Sequence, residues 1–180
     1  MAMEEHMNYA KMANAVLFFL AHAQKVGKTK LAKLLYFADF GHYAEHGRSI
    51  TGEMYVKYQH GPFPSRMEFI LKKMRSDGVL EWETRPIVDY QGYCFDVKTP
   101  CDETVFTPEE LATLRAVVDK WRDATAGEVE EASHKCTPWM AADDLAYLDY
   151  SLAVCSTEEE PEDEELRKSP VLRELVKGLE

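Results

Sequence analysis

Three side chains of metal-ligating type recur along one predicted helix, at Asp39, His42 and His46. Their i, i+3 and i+7 spacing can place one carboxylate and two imidazoles on a single helix face, a donor set that transition metals accept. Metal-binding helices more often supply an i, i+4 histidine pair, and His46 stands beside Gly47, where the helix is expected to end. The pattern favours ordinary surface or hydrogen-bonded side chains, and we expect no metal and no other cofactor.

Nucleophile candidates stand close together at Ser133 and Cys136, with His134 between them. Neighbouring residues on a helix do not face one another, and catalytic triads usually draw their members from distant segments. The tripeptide Gly27-Lys28-Thr29 resembles the end of a phosphate-binding loop, but the required earlier glycine is replaced by histidine, and a helix precedes it instead of a strand. The sequence therefore predicts no enzymatic activity and no catalytic residue.

The length and the charge restrict the class of protein. A chain of 180 residues fits one domain with a short tail. Residues 1–75 carry 11 Lys and Arg against 6 Asp and Glu, whereas residues 76–180 carry 10 against 26. A net charge of −11 disfavours nucleic acid as a partner, although the basic first part leaves a local phosphate contact open.

The cysteines and the apolar runs predict a cytoplasmic protein. No two of the four cysteines form a CxxC pair, and no export signal is recognised, so we expect free thiols in a reducing compartment. The longest apolar run, residues 13–21, is too short to cross a bilayer and is expected to be a buried helix.

Periodicity and capping signals predict a mainly helical α+β fold. Helices are expected at residues 8–25, from an N-cap at Thr29 to Gly47, and at 65–77, with further helices starting at Thr107, Thr125 and Thr137. Strand-like runs at 79–84 and 93–98 suggest a β-hairpin, and helices followed by a hairpin give a winged-helix-like outline. Residues 61–64 contain too much glycine and proline to predict a regular element. We place one domain at residues 1–155.

Residues 156–180 are expected to form a separate tail. An acidic run at 158–165 precedes a predicted amphipathic helix. Its apolar stripe is formed by Leu172, Leu175, Val176 and Leu179. The stripe either packs on the domain's own core or enters a groove on a partner.

One stretch resembles a known family. It reads Lys-Leu-Leu-Tyr-Phe-Ala-Asp at 33–39, Gly-Arg-Ser-Ile-Thr-Gly at 47–52 and Tyr-Val-Lys-Tyr-Gln-His-Gly-Pro at 55–62, followed by His134, Trp139 and Leu-Asp-Tyr at 148–150. This is similar to the Panacea domain of SocA-like antitoxins and phage-associated GepA-like proteins, over residues 10–150. The resemblance implies a prokaryotic, prophage-type antitoxin or adaptor that neutralises a cognate toxin by direct contact. One relative in the family delivers its toxin to a protease, so a protease is a second partner that the resemblance leaves open, and it implies no cofactor.

The candidate partner-binding surface is aromatic. Gly61-Pro62 should hold the preceding segment extended and direct it toward the second helix. A groove lined by tyrosines and histidines is then one interpretation, and an aromatic core with its hydroxyls at the edge is the other. Lys33 and Asp39 are expected to pair with backbone groups or with each other. The candidate residues are Tyr36, Asp39, Tyr55, Tyr58, His60, His134 and Trp139.

Two alternatives to an antitoxin remain at this point. A winged-helix DNA-binding regulator agrees with the helices, the hairpin and the basic first 75 residues. A metal-dependent hydrolase would use Asp39 and His42 with His60 or His134. The oligomeric state is not predicted.

Overall fold

The computed structural model describes residues 6–87 and 90–153 of the chain. Within them the protein is mainly helical with two small antiparallel sheets, which confirms the predicted α+β class. The helices are α1 Tyr9–His22, α2 Lys28–His46, α3 Met67–Ser76, α4 Pro108–Trp121, α5 Ala126–His134 and α6 Thr137–Ala141. The strands are β1 Tyr55–Tyr58, β2 Gly61–Pro64, β3 Leu80–Ile87 and β4 Tyr90–Val97, and short 3-10 helices span Glu103–Val105 and Tyr150–Leu152.

Helix α2 is the centre of the fold. It contacts α1, α4, α5 and β2, and its Leu31, Leu34 and Leu35 are completely or almost completely buried. A helix covered on several sides must bury part of its polar face too. The side chains of α2 that are both polar and buried are Lys30, Lys33, Asp39 and His42. Each of them therefore needs a hydrogen-bond partner inside the protein.

Lys30 joins the ends of two other helices to α2. Its Nζ donates to the backbone oxygens of Gln24, Arg122 and Ala124 at 2.8, 3.0 and 2.6 Å. These oxygens follow α1 and α4, where helices leave carbonyl groups without intrahelical partners. One buried cation thus satisfies carbonyls from both chain segments.

Local capping signals are confirmed where they were strongest. Thr107 and Glu110 form a reciprocal capping box at the start of α4, and Thr125 and Glu128 do the same for α5. Thr29 is not the N-cap of α2, because the helix starts at Lys28 after Gly27. The first helix ends earlier than predicted, at His22.

Strand β2 was not predicted, and its residues explain why. It pairs with β1 in the register Val56↔Phe63 and Lys57↔Pro62. The backbone N–H and C=O of Lys57 form hydrogen bonds with Ala146 and Leu145, on the side of β1 opposite β2. Pro62 therefore stands at a position where the nitrogen points away from β1, and proline removes no ladder hydrogen bond there.

The hairpin β3–β4 is confirmed and is longer than predicted. Its ladder continues through Arg85↔Gly92 to Ile87↔Tyr90. Trp82 lies 6.2 Å from Tyr93 and 6.4 Å from Phe95 between ring centroids. Such cross-strand aromatic pairs stabilise a two-stranded ribbon.

Several further sequence predictions concern residues that the structure describes only in part. No helix of residues 6–87 and 90–153 is long and apolar enough to cross a membrane. Cys94, Cys101 and Cys136 form no disulfide with one another. The predicted acidic tail, its amphipathic helix and Cys155 lie outside the described residues, as does the proposed boundary at 155/156.

Gly61 is expected to be intolerant of any side chain. Its φ is +92°, and an added Cβ would lie 2.6 Å from both Lys33 Cε and Ser133 Oγ. Gly61→Ala should lower the free energy of unfolding by at least about 2 kcal/mol, from backbone strain plus overpacking. Urea denaturation measures this loss.

Two matched glycine variants separate backbone strain from overpacking. Gly78 has φ +72° and open space around it, so Gly78→Ala should cost only the strain of about 1 kcal/mol. Gly41 lies inside α2 with nothing within 4 Å, and Gly41→Ala should stabilise by roughly 0.5–1 kcal/mol. Equal losses for Gly61→Ala and Gly78→Ala would contradict the close approach at Gly61.

Candidate functional site

Asp39 fastens the loop after α2 back onto the helix. Its Oδ1 accepts hydrogen bonds from the backbone N–H groups of Ile50 and Thr51, at 2.9 and 2.8 Å. Its Oδ2 accepts from Thr51 Oγ1 at 2.6 Å and from the Tyr55 hydroxyl at 2.7 Å. We call this group the Asp39 lock, formed by Asp39, Ile50, Thr51 and Tyr55. It joins three of the sequence blocks that carry the family resemblance, at 33–39, 47–52 and 55–62.

The Asp39 lock is enclosed on all sides. The carboxyl group is completely buried, and burial raises its pKa to about 6, although the hydrogen bonds from Thr51, Tyr55 and Ile50 oppose the rise. The same burial raises the pKa of Tyr55 well above its usual value, with the Asp39 charge adding to it. A carboxylate with four donors has no free lone pair directed at a metal.

A second buried carboxylate secures the next residues. Glu53 Oε1 accepts hydrogen bonds from the Met54 N–H and from Ser65 Oγ, both at 2.8 Å. The Tyr150 hydroxyl donates to the Glu53 backbone oxygen at 2.6 Å. The loop before β1 is thus tied to the start of α3 and to the last 3-10 helix.

Tyr36 and Tyr55 belong to an aromatic core. Tyr36 lies 4.5 Å from Phe40 and 5.7 Å from Tyr55, and Phe40 stacks on Tyr150 at 4.1 Å, all between ring centroids. Both tyrosines are 0% exposed. Of the two interpretations of the aromatic residues, burial favours the aromatic core for Tyr36 and Tyr55, and Asp39, also a candidate partner-binding residue, is buried with them.

Lys33 holds the turn between β1 and β2. Its Nζ donates to the Pro62 backbone oxygen at 2.9 Å. Burial lowers the pKa of Lys33 to about 8, and the negative charge of Glu130 opposes this. Lys33 and Asp39 each form hydrogen bonds to a different part of the chain that follows α2. Of the two expectations, pairing with groups elsewhere in the chain therefore holds, and the two side chains do not pair with each other.

The remaining predicted residues meet at the surface beside that turn. The Trp139 ring stacks on His134 with centroids 4.1 Å apart, and Trp139 Nε1 donates to the Tyr58 backbone oxygen at 3.3 Å. His60 Nδ1 lies 3.1 Å from Glu130 Oε1. We call Tyr58, His60, His134 and Trp139 the Trp139 corner. The structure therefore brings four of the seven candidates together where a partner can reach them.

Lys57 and Glu130 complete this corner and were missed from the sequence. Lys57 Nζ lies 4.4 Å from the centre of the Trp139 ring and donates to the Ala142 backbone oxygen at 2.9 Å. Burial lowers the pKa of His134; Glu130 opposes the shift, and the nearby positive charges of Lys33, His60 and Lys57 add to it. The lowered pKa favours the neutral imidazole of His134. The position of Lys57 inside the Tyr-Val-Lys-Tyr block was the available signal.

The side chains weighed as candidate metal ligands are engaged with other groups. His42 Nδ1 pairs with Thr113 Oγ1 at 3.0 Å, and its ring lies tilted against His46 with centroids 4.3 Å apart. The Asp39 oxygens are occupied by the lock. In the part of the chain that the structure describes, no three His, Cys, Asp or Glu side chains are arranged to hold a metal ion.

The nucleophile candidates are buried, and two of the cations on α3 form ion pairs. Ser133 is 0% exposed and donates to the Glu130 backbone oxygen at 2.7 Å, and Cys136 is 5% exposed. On α3, Lys73 pairs with Asp77 at 2.9 Å and Arg75 with Glu81 at 3.0 Å. Ser133 thus donates its hydroxyl hydrogen to a backbone oxygen instead of a base. Lys72, also on α3, is exposed and forms no ion pair with a described residue, so this helix keeps one cation that a phosphate could meet.

The family model of the antitoxin SocA-like Panacea domain matches residues 31–140. This chain belongs to that family. Comparisons with curated proteins and with solved structures gave no match. The matched part of this Panacea domain begins in α2 and ends in α6, so it contains both the Asp39 lock and the Trp139 corner.

Replacing Asp39 should test the lock. Asp39→Ala leaves four buried donors without an acceptor and should lower the free energy of unfolding by about 3–5 kcal/mol. Asp39→Asn keeps one oxygen for the two N–H groups, and the two hydroxyls can turn to accept from the amide, so its loss should be smaller. Urea titrations of both variants at pH 7 provide the comparison, and equal losses would contradict the lock.

The same residue makes stability depend on pH. The pKa of Asp39 is raised from 3.8 to about 6 on folding, so its contribution is fully present below pH 4 and is lost as the pH rises to about 6. The stability of wild type relative to Asp39→Asn should therefore fall by about 3 kcal/mol over that range. A pH-independent difference would rule out a strongly shifted Asp39.

Lys33 gives the opposite dependence at alkaline pH. Its pKa falls from 10.5 to about 8 on folding, so stability should increase as the pH rises between these values. We expect this increase in wild type and in the control Lys135→Met, and its loss in Lys33→Met. Denaturation at pH 7.5, 8.5 and 9.5 measures it, and a gain retained in Lys33→Met would assign the effect to another group.

Proposed function

We propose that this protein is an antitoxin that neutralises a toxin protein by direct contact, and that the Trp139 corner is part of the contact surface. The observation that carries the proposal is the convergence of Tyr58, His60, His134 and Trp139 from β1, the following turn, α5 and α6 at one accessible place in a domain of an antitoxin family. The mechanism is binding, with no chemical step.

The corner has the physical properties of an interface anchor. Tyr and Trp supply a large apolar area with a polar tip and are frequent among residues that dominate binding energy. Tyr58 is 44% exposed, and Trp139 is half-buried. A toxin residue packed on these rings would gain area without disturbing the core beneath them.

The corner is also fixed before a partner arrives. Trp139 is held by its hydrogen bond to the Tyr58 oxygen, by the His134 ring and by Lys57. Side chains that are already ordered lose little conformational entropy on binding, which improves affinity. Direct contact can then block a toxin without a protease, and the absence of a disulfide between any two of Cys94, Cys101 and Cys136 agrees with action in the cytoplasm.

Substitutions in the corner should abolish neutralisation while the fold persists. Tyr58→Ala and His60→Ala remove exposed side chains and leave the backbone in place, and Trp139→Ala removes the main anchor. We expect at least a tenfold weaker complex with the toxin encoded by the adjacent gene for Trp139→Ala, and loss of growth rescue on co-expression.

Phe69→Ala is the matched control, because Phe69 is a 59% exposed aromatic residue on α3, outside the corner. It should retain toxin binding and growth rescue. Circular dichroism melts of all variants distinguish lost binding from lost folding. Full neutralisation by folded Trp139→Ala would overturn the assignment of the surface, and failure of wild type to bind the toxin would overturn the proposed function.

A further inference from the structure

An additional extended segment pairs with β1 and widens the small sheet. Lys57 N–H donates to the Ala146 oxygen and Leu145 N–H to the Lys57 oxygen, both at 2.9 Å, and Leu148 N–H donates to the Tyr55 oxygen at 2.8 Å. Val56 forms an antiparallel bridge with Tyr147. The segment therefore lies beside β1 on the side opposite β2.

The two faces of this layer differ sharply. Side chains alternate between faces along paired strands, so the partners Tyr55 and Leu148 share the inner face, where both are buried. The bridge partners Val56 and Tyr147 share the other face, as does Phe63 across β2. We call this the outer face, formed by Val56, Tyr58, Phe63, Leu145 and Tyr147.

The outer face is apolar and open. Tyr58 is 44% exposed, Tyr147 59% and Leu145 71%. Exposed apolar side chains grouped on one sheet face are typical of interaction sites. Tyr58 belongs to the Trp139 corner too, since its side chain lies on the outer face and its backbone oxygen accepts from Trp139 Nε1.

The charges on the Tyr147 side of the outer face have one sign. On the β2 side, Lys28 Nζ lies 5.6 Å from the centre of the Phe63 ring and forms an ion pair with Glu68. Residues 136–153 contain Asp143, Asp144 and Asp149 and no Lys, Arg or His. Asp143 and Asp144 are exposed and form no ion pair with any described residue. The nearest lysine of β1, Lys57, is directed at the Ala142 oxygen and the Trp139 ring. An apolar partner with positive charges at its ends complements this surface.

The edge of the segment suggests the conformation of the partner. Tyr147 is bridged to Val56, and the ladder bonds are made by the residues on either side of that pair. In such a pair the backbone N–H and C=O of Tyr147 point away from β1. An extended chain can use that edge, as in strand addition to an exposed sheet edge.

We infer that the outer face receives an extended segment of the toxin in which apolar side chains are accompanied by Lys or Arg. The inference rests on the proposed function and names the partner chemistry of the surface that continues the Trp139 corner. A second copy of this chain would bring the same three aspartates against themselves, and residues 154–180 carry 9 Asp and Glu against 4 Lys and Arg. Both are electrostatically disfavoured occupants.

Leu145 provides a test in which stability and binding move in opposite directions. Its φ is +64°, a conformation that costs a non-glycine residue roughly 1–2 kcal/mol. Leu145→Gly removes that strain and also the exposed side chain. We expect an unchanged or higher melting temperature together with at least tenfold weaker binding of the full chain to the adjacently encoded toxin, measured by calorimetry with an inactive toxin variant.

Charge reversal tests the basic character of the partner. The double variant Asp143→Lys, Asp144→Lys should weaken toxin binding at least tenfold at low salt and reduce its salt dependence. Glu83→Lys on the β-hairpin, also an exposed acidic residue, is the matched control and should bind the toxin as wild type does. Unchanged or tighter binding by the double variant would overturn the inference.

A photo-crosslinking residue at position 147 identifies the occupant in the complex. The expected adduct joins it to a toxin segment containing Lys or Arg among apolar residues. Adducts to a second copy, to residues 154–180 of the same chain or to an acidic toxin segment would overturn the inference. If Trp139→Ala loses toxin binding and Leu145→Gly does not, the proposed function stands and this inference fails; if wild type binds no toxin, both fail.

Discussion

The described structure depends on one buried carboxylate that four donors surround. Asp39 lies in the central helix, and its partners come from the loop and strand that follow. Without this acceptor two backbone N–H groups and two hydroxyls would be buried and unpaired, each at a cost of about 1–3 kcal/mol. The path of the chain from α2 into β1 is therefore fixed by hydrogen bonding as much as by apolar packing.

The candidate surface follows from that path. The Tyr55 hydroxyl joins β1 to Asp39, and Lys33, almost two helical turns earlier on α2, fixes Pro62 of β2. With both strands held against α2, the backbone oxygen of Tyr58 is in place for Trp139, and the outer edge of β1 is in place for residues 145–148. Buried contacts thus hold β1 and β2 in place, and the two strands in turn position the side chains at the surface. A preorganised binding surface requires this kind of support.

Local signals could be predicted from the sequence, and distant pairings could not. The capping boxes at Thr107 and Thr125 need only residues three positions apart, so their pattern is sufficient. Strand β2 was hidden because its prolines are compatible with a sheet only in a particular register. The family-like sequence blocks marked Tyr36, Tyr55 and Tyr58 as candidate binding residues. Whether each tyrosine faces the core or solvent is set by strand alternation and by Asp39, and the composition of the blocks does not reveal this.

Asp39 and Lys33 are better explained by register than by stability. Burial disfavours the charged form of both groups, since it raises the pKa of Asp39 and lowers that of Lys33. Near pH 7 the folded domain therefore keeps two buried charges. Apolar side chains at these two positions would carry no such desolvation cost. A slip of β1 by one residue would turn Tyr55 to the opposite face and leave the carboxylate without its hydroxyl partner. The buried Asp39 carboxylate thus penalises that slip, and the alignment it favours is the one that places the Tyr58 backbone oxygen beside Trp139.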